Sequence, residues 1–184
     1  MNYAKINKIS VADGSGVRVA LYVSGCSLHC KGCHNPECWD STFGNEFTED
    51  AMQEILLAMK KDYIQGITVT GGHPLDSCNL EDVYKIVKRI KMVYPNKDIW
   101  LYTGYTWEEI LKLEQFYKDR EVNGISPFDI VKCCDVVVDG RYMEDLRDIT
   151  LAFRGSSNQR IIDVKNTLKL ADYKAILWNE GENK

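Results

Sequence analysis

Three cysteines lie close together near the start of the chain, in the stretch VSGCSLHCKGC. Cys26, Cys30 and Cys33 are separated by three and by two residues, and they directly follow an apolar segment. A cubane iron–sulfur cluster has four irons and normally takes one cysteine thiolate for each. Three thiolates would therefore leave one iron open to a small molecule, much as a catalytic zinc keeps one position free. Such an open iron suits a reaction in which an electron passes directly into a bound substrate.

Two other metal sites remain open for the same cysteines. Zinc could take them together with Cys38 or His34 as a fourth ligand. Structural zinc sites more often combine two separated pairs of ligands, so this spacing fits zinc poorly. Cys38 could instead complete an ordinary four-cysteine cluster that only carries electrons. We favour the open, three-cysteine cluster.

The composition limits the remaining function classes. The chain has 184 residues, of which 45% are hydrophobic and 27% charged, which suits one globular domain over 1–184. The N-terminus lacks the pattern of a signal peptide, and no run approaches the roughly 18–20 apolar residues of a membrane span. A net charge of −4 without a basic cluster argues against nucleic acid as a partner. We therefore expect a cytoplasmic protein that binds neither membrane nor nucleic acid.

Four short runs rich in β-branched or aromatic residues predict strands, and each of them ends in glycine. These runs are Arg18–Gly25, Gly66–Gly72, Asp98–Gly104 and Asp135–Gly140. After Gly140 the sequence becomes polar and rich in turn residues. The later stretch RIIDVKNTLKL indicates a strand or a hairpin, and the tail at about 179–184 is predicted to be disordered.

Helical patterns lie between the predicted strands. Thr48 could cap a helix through about Lys61, and Asn79 could cap one through about Met92. The sequence from Thr106 to Glu109 matches a capping box. Strands that alternate with helices predict an α/β fold with a mostly parallel sheet. Because ligands bind at the carboxyl ends of such strands, we expect the cysteines and the following Gly-Gly turn to share one site.

The motifs resemble those of a known family. The cysteine spacing resembles the cluster motif of the radical S-adenosylmethionine (SAM) superfamily. The flanking DGSGVRVALYVSGC resembles the glycyl-radical-enzyme activases, with Ser15 where they commonly carry proline, and GCHNPECWD resembles their third-cysteine segment. IWLYTGYTWEEI and DVVVDGRYMEDLRDITLAFRGSSNQRIIDV resemble the activating proteins of the anaerobic ribonucleoside-triphosphate reductase. The similarity extends from about Asp13 to Val164.

This resemblance implies a partial (β/α)6-type radical SAM barrel with one [4Fe-4S] cluster held by Cys26, Cys30 and Cys33. It also implies a set of SAM contacts, namely Gly32, Cys33, His34, Thr70, Gly71 and Gly72. The family usually has an acid after the two glycines, whereas this chain has His73. We therefore expect ligand contacts from the glycines rather than from His73.

The resemblance also implies the reaction and its partners. A reduced cluster would pass one electron to SAM, which breaks into methionine and a 5′-deoxyadenosyl radical. That radical would take a hydrogen from a backbone glycine of the anaerobic ribonucleoside-triphosphate reductase, with reduced flavodoxin or a similar carrier as electron donor. Other readings remain open: an activase of another glycyl radical enzyme such as pyruvate formate-lyase, a radical enzyme for a small molecule, or a non-catalytic iron–sulfur carrier. The segments YTGYTWEEI and RGSSNQR favour the reductase activase.

The remaining cysteines and a polar segment near residue 155 can also be interpreted. Cys133 and Cys134 lead into an apolar strand, so we expect them to be buried, and Cys78 has no spacing typical of a ligand. The segment Gly155–Arg160 could border an opening for the partner protein. It could equally be a structural turn whose polar side chains satisfy nearby backbone groups.

Overall fold

The computed structural model describes residues 1–179, so the tail predicted to be disordered lies, apart from residue 179, outside the described part. One seven-stranded sheet runs through this part, in the order β3-β1-β2-β4-β5-β6-β7. Its strands are β1 (Asn2–Ser10), β2 (Arg18–Val23), β3 (Asn45–Glu46), β4 (Gly66–Gly71), β5 (Asp98–Tyr102), β6 (Val136–Asp139) and β7 (Arg160–Asp163). The first four strands predicted from the sequence are the four central ones, and the later stretch RIIDVKNTLKL begins with β7.

The central strands β2, β4, β5 and β6 pair in parallel, which confirms the α/β class. The expectation of a mostly parallel sheet is wrong at the edges. There β1 pairs antiparallel with both β2 and β3, and β7 pairs antiparallel with β6. The connection between β1 and β2 spans only residues 11–17, and a parallel pairing would need a crossover of about a dozen residues or more.

Within residues 1–179 there are five α-helices: α1 (Glu49–Met59), α2 (Leu80–Val93), α3 (Trp107–Asp119), α4 (Pro127–Val131) and α5 (Val164–Thr167). The capping box is confirmed, since the Thr106 side chain accepts from the Glu109 amide while Glu109 accepts from the Thr106 amide. Thr48 and Asn79 precede α1 and α2 as predicted, but neither side chain caps its helix.

The two faces of the sheet are covered by different parts of the chain. Every second residue of a central strand faces the helices. Leu21, Val69 and Leu101, one from each of three neighbouring strands, pack with the helices in the larger core. Their neighbours on the other face form a smaller core around Trp100, against which Trp178 and other side chains from beyond β6 pack. No helix within residues 1–179 is long and apolar enough to cross a membrane.

Candidate metal centre

The loop that carries the three cysteines (residues 24–33, the cysteine loop) and the turn at Gly71 and Gly72 (the glycine turn) lie side by side. Both are at the carboxyl ends of neighbouring strands. β2 leads directly into the loop that carries Cys26, and β4 ends in the turn of Gly71 and Gly72. In the parallel pair, Tyr22 is opposite Thr70 and Val23 is opposite Gly71. Two segments that are far apart in the sequence therefore meet at one edge of the sheet.

A cavity of about 410 Å³ opens between them. Its lining includes most of the residues that the resemblance implicates, namely Cys26, Cys30, Cys33, His34, Thr70, Gly71 and Gly72. Aromatic side chains form further parts of its wall: Tyr22, Trp39, Tyr102 and Tyr142. Gly32 does not line this cavity. It packs instead against Glu144, whose Cδ would lie 3.0 Å from an added Cβ.

The start of the cysteine loop is held by three consecutive amides that bond outside the loop. The Gly25 amide donates to the Cys38 carbonyl at 2.8 Å, and the Cys26 amide donates to the Trp39 carbonyl at 3.2 Å. The Ser27 amide donates to the Asp76 carboxylate at 2.8 Å. The backbone around Cys26 is thus held by the segment at 38–39 and by the turn that carries Asp76, and none of these bonds uses a cysteine thiol.

The three thiols fit a cluster better than a single metal ion. Cys26, Cys30 and Cys33 are half-buried, form no disulfide and line the same cavity. Within residues 1–179, no three His, Cys, Asp or Glu side chains are grouped around one point as a mononuclear site requires. A cubane needs no such convergence, because each thiolate binds its own iron. Burial raises the pKa of the Cys26 thiol, so metal binding at this residue would displace a proton.

The two glycines of the turn are required by close backbone packing. Gly71 has a φ of +101°, and an added Cβ would lie 2.7 Å from the backbone of Tyr22 and Val23. At Gly72 an added Cβ would lie 2.7 Å from the Gly25 carbonyl oxygen. Any side chain here would push the glycine turn away from the cysteine loop. The glycines therefore have a structural reason to be present, whatever ligand they contact.

His73 follows the glycines and also lines the cavity. The side chain is only 1% exposed, its Nε2 lies 2.8 Å from the Thr103 hydroxyl, and its ring packs edge-on against Tyr105. Burial lowers the pKa of His73 to about 4, so the imidazole is neutral at pH 7. Its Nδ1 is buried without a hydrogen-bond partner among the described residues.

Two further cysteines lie beside the cysteine loop. Cys38 is buried, and its carbonyl accepts the Gly25 amide. The Cys78 sulfur packs over Gly25, where an added Cβ would lie 2.5 Å from it. Burial raises the pKa of both thiols to about 11, so both are protonated at neutral pH. No sequence pattern predicts this position of Cys78, because only the path of the chain after β4 brings it close to Gly25.

The other cysteines lie elsewhere. Cys134 is buried as predicted, whereas Cys133 is only half-buried. Both follow helix α4 and donate to its carbonyls, Cys133 to Asp129 and Cys134 to Ile130. They form part of the other end of the sheet, next to the start of β6.

The segment at 155–160 is held by its own polar side chains. The Asn158 amide donates to the Arg141 carbonyl at 2.8 Å, and the Gln159 side-chain oxygen accepts from the Gly155 and Ser156 amides. Arg160 forms ion pairs with two acids, Asp139 and Glu108. These contacts account for the turn, and a contact with a partner protein stays a prediction.

Comparison with known proteins identifies the family to which the chain belongs. Residues 12–162 match a family model described as a 4Fe-4S single cluster domain, which places the chain among the iron–sulfur proteins.

Three curated relatives are each named anaerobic ribonucleoside-triphosphate reductase-activating protein. The one from Enterobacteria phage T4 is 39% identical over 161 residues, which is 88% of this chain and 93% of that protein. Those from Vibrio cholerae serotype O1 and Escherichia coli strain K12 are 37% and 36% identical, over 88% and 86% of this chain and 97% and 96% of theirs. The chain belongs to the family of anaerobic ribonucleoside-triphosphate reductase-activating proteins.

Proposed function

We propose that this protein activates an anaerobic ribonucleoside-triphosphate reductase by reductive cleavage of SAM at a [4Fe-4S] cluster. The observation that carries the proposal is the cavity in which Cys26, Cys30 and Cys33 meet the Thr70–Gly72 turn. The names of the relatives supply the partner, since each is an activating protein of that reductase.

Cys26, Cys30 and Cys33 would hold the cluster, one thiolate for each of three irons. The chemistry that the bound cluster supplies is one-electron cleavage of SAM to methionine and a 5′-deoxyadenosyl radical, which takes a hydrogen from a glycine of the reductase. The amide bonds of Gly25, Cys26 and Ser27 keep the first ligand in place before the cluster binds. The protein's part in such chemistry is to bind, to orient and to exclude competing reactions.

The rest of the cavity wall combines aromatic side chains with two charged ones, Lys5 and Asp13. We propose Gly32, Cys33, His34, Thr70, Gly71 and Gly72 as the SAM contacts; all of them except Gly32 line the cavity. Tyr22, Tyr102 and Tyr142 place aromatic surface where water would otherwise reach a radical. The neutral His73 adds no positive charge beside a sulfonium or ammonium group.

The proposal also includes the fold, the cellular location and the electron donor. The parallel strands β2, β4, β5 and β6, with helices between them, are consistent with part of a (β/α)6-type radical SAM barrel. We propose that residues 1–184 form one such domain, which works in the cytoplasm with reduced flavodoxin or a similar carrier as electron donor.

The test is anaerobic reconstitution with iron and sulfide, followed by SAM, dithionite and the cognate reductase. We expect 5′-deoxyadenosine and methionine to form and a glycyl radical to appear by electron paramagnetic resonance. Pyruvate formate-lyase in place of the reductase is the matched control and should give no glycyl radical. A protein that takes up a cluster but leaves SAM intact would be an electron carrier, and the proposal would be wrong.

A further inference from the structure

Asp76 is an acidic side chain that the turn after β4 brings against the cysteine loop. Its carboxylate is 7% exposed and accepts the Ser27 amide at 2.8 Å. The turn itself is closed by backbone bonds, since the Asp76 amide donates to the His73 carbonyl and the Asn79 amide donates to the Asp76 carbonyl. The carboxylate is therefore held by its own turn and reaches the residue that follows Cys26.

Asp76 differs from the other acceptors at the start of the loop. The Gly25 and Cys26 amides donate to backbone carbonyls, which no substitution removes. The Ser27 amide donates to a side chain, and this side chain carries a charge. Among residues 70–79, Asp76 is the one acid, and the position after the two glycines is occupied by the neutral His73.

The buried Asp76 side chain is ionised at neutral pH. Burial opposes ionisation, but hydrogen bonds from Ser27 and Cys78 outweigh it and lower the pKa of Asp76. Within residues 1–179 no lysine or arginine forms an ion pair with it. Because the carboxylate binds the amide of Ser27, the residue next to Cys26, its negative charge lies beside the first of the three cysteines.

We propose that Asp76 is a positioning residue for the cluster, which fixes the Cys26 end of the loop and places a permanent negative charge beside it. This inference rests on the proposed function, because it concerns the cluster that the three cysteines would hold. Reduction adds one negative charge to a cluster, so a nearby carboxylate disfavours reduction and makes the midpoint potential more negative. The hydrogen bond and the charge are separate effects, and substitutions can separate them.

The experiment compares Asp76→Ala, Asp76→Asn and a control, Asp119→Asn, which changes the net charge equally at the end of α3. Three quantities are measured: exchange of the Ser27 amide in the metal-free chain, loss of iron to a chelator, and the midpoint potential of the reconstituted cluster. For Asp76→Ala we expect faster hydrogen exchange of the Ser27 amide. We also expect the chelator to remove iron about 10-fold to 100-fold faster, because loss of a residue that supports a metal ligand usually weakens metal binding by about that factor. Asp76→Asn keeps an acceptor oxygen, so it should retain iron like the unsubstituted protein but have a more positive midpoint potential. Asp119→Asn should change none of the three.

Several results would overturn the inference. Unchanged Ser27 exchange and iron retention in Asp76→Ala would show that the carboxylate does not position the loop. An unchanged midpoint potential in Asp76→Asn would remove the electrostatic part, and Asp76→Asn remains informative if Asp76→Ala fails to fold. If the unsubstituted protein takes up no cluster, the proposed function fails, and Ser27 exchange in the metal-free chain still decides whether Asp76 holds the loop.

Discussion

Buried charges are paired at the amino ends of the central strands, whereas several buried polar atoms lack partners at the carboxyl ends. Arg18 begins β2 and is fully buried. Its guanidinium donates to the Thr68 hydroxyl at 2.9 Å and to the Ile67 and Ser15 carbonyls at 3.0 and 2.8 Å. It also forms an ion pair with Asp98 at the start of β5. At this end of the sheet, charge and hydrogen bonds fix the strands in register.

At the carboxyl ends, Asp139 is likewise paired with Arg160, but the side chains around the cysteine loop are less completely bonded. Four buried side-chain atoms that have no hydrogen-bond partner in the described part of the chain flank the cysteine loop or the turn after β4: Ser24 Oγ, Trp39 Nε1, His73 Nδ1 and Asn79 Oδ1. Three half-buried thiols lie among them. Because buried polar groups in native proteins are normally satisfied, such a concentration calls for a reason. The comparison teaches that the polar groups around Arg18 are used within the protein, whereas those around the cysteine loop are available to bind a ligand.

The largest effect should come from the cluster ligands. Replacing Cys26, Cys30 or Cys33 by alanine should reduce SAM cleavage to background, because each loss uncovers another iron and destabilises the cubane. Iron and sulfide content and 5′-deoxyadenosine formation measure this. The matched control at the amino ends is Cys134→Ser, and Cys78→Ser is the control beside the loop. Complete loss of activity in a folded, cluster-loaded Cys78→Ser protein would contradict the assignment of the three ligands.

At the amino ends, Arg18→Met should reduce the free energy of unfolding by about 3–5 kcal/mol, since it removes one partner from a buried ion pair. The measurement is urea unfolding of the metal-free chain. The control is Lys85→Met, which breaks a fully exposed pair with Glu81 and should leave the free energy of unfolding nearly unchanged. Similar small losses for both variants would show that the amino ends do not stabilise the sheet in the way described.

The neutral His73 predicts a pH dependence of stability. Its pKa falls from 6.5 in the unfolded reference to about 4 in the folded protein. Between these values the unfolded chain binds the proton and the folded chain does not, so stability decreases as pH falls through this range. The difference is worth about 2–3 kcal/mol between pH 7 and pH 4. Urea unfolding of His73→Gln should show a correspondingly weaker pH dependence, and equal slopes for both proteins would rule out a buried, neutral imidazole.

The smallest effect is expected at Asn158. This exposed residue loses one hydrogen bond to the Arg141 carbonyl when it becomes alanine, which should cost about 1 kcal/mol or less. SAM cleavage without the reductase should be unchanged. If the segment at 155–160 guides the partner, glycyl-radical formation should fall while SAM cleavage does not. Equal loss of both activities would indicate a role in folding or in SAM binding.

The central strands and helix starts could be predicted because their signals are local. β-branched runs ending in glycine identify β4, β5 and β6, and the spacing from Thr106 to Glu109 identifies the start of α3. The first strand, Asn2–Ser10, was not predicted, although its residues alternate between polar and apolar. Its antiparallel position at the edge depends on pairing with β2, which the alternation alone does not specify.

The contacts that complete the candidate site could not be predicted, because they join residues far apart in the sequence. Asn79 looks like a helix cap, yet its side chain donates to the Gly25 and His73 carbonyls instead. The bond from the Ser27 amide to Asp76 joins two loops that only the parallel pairing of β2 with β4 brings together. The cysteine spacing indicates what is bound, whereas the tertiary structure determines what holds the loop in place.

The most direct test of the open cluster is the electron paramagnetic resonance spectrum of the reduced, reconstituted protein with and without SAM. It should be recorded for the unsubstituted protein and for Cys38→Ser, which keeps the backbone carbonyl that accepts the Gly25 amide. We predict that both proteins assemble the cluster and that SAM changes the spectrum of both. A spectrum that SAM leaves unchanged, together with loss of the cluster in Cys38→Ser, would show four-cysteine ligation and contradict the account.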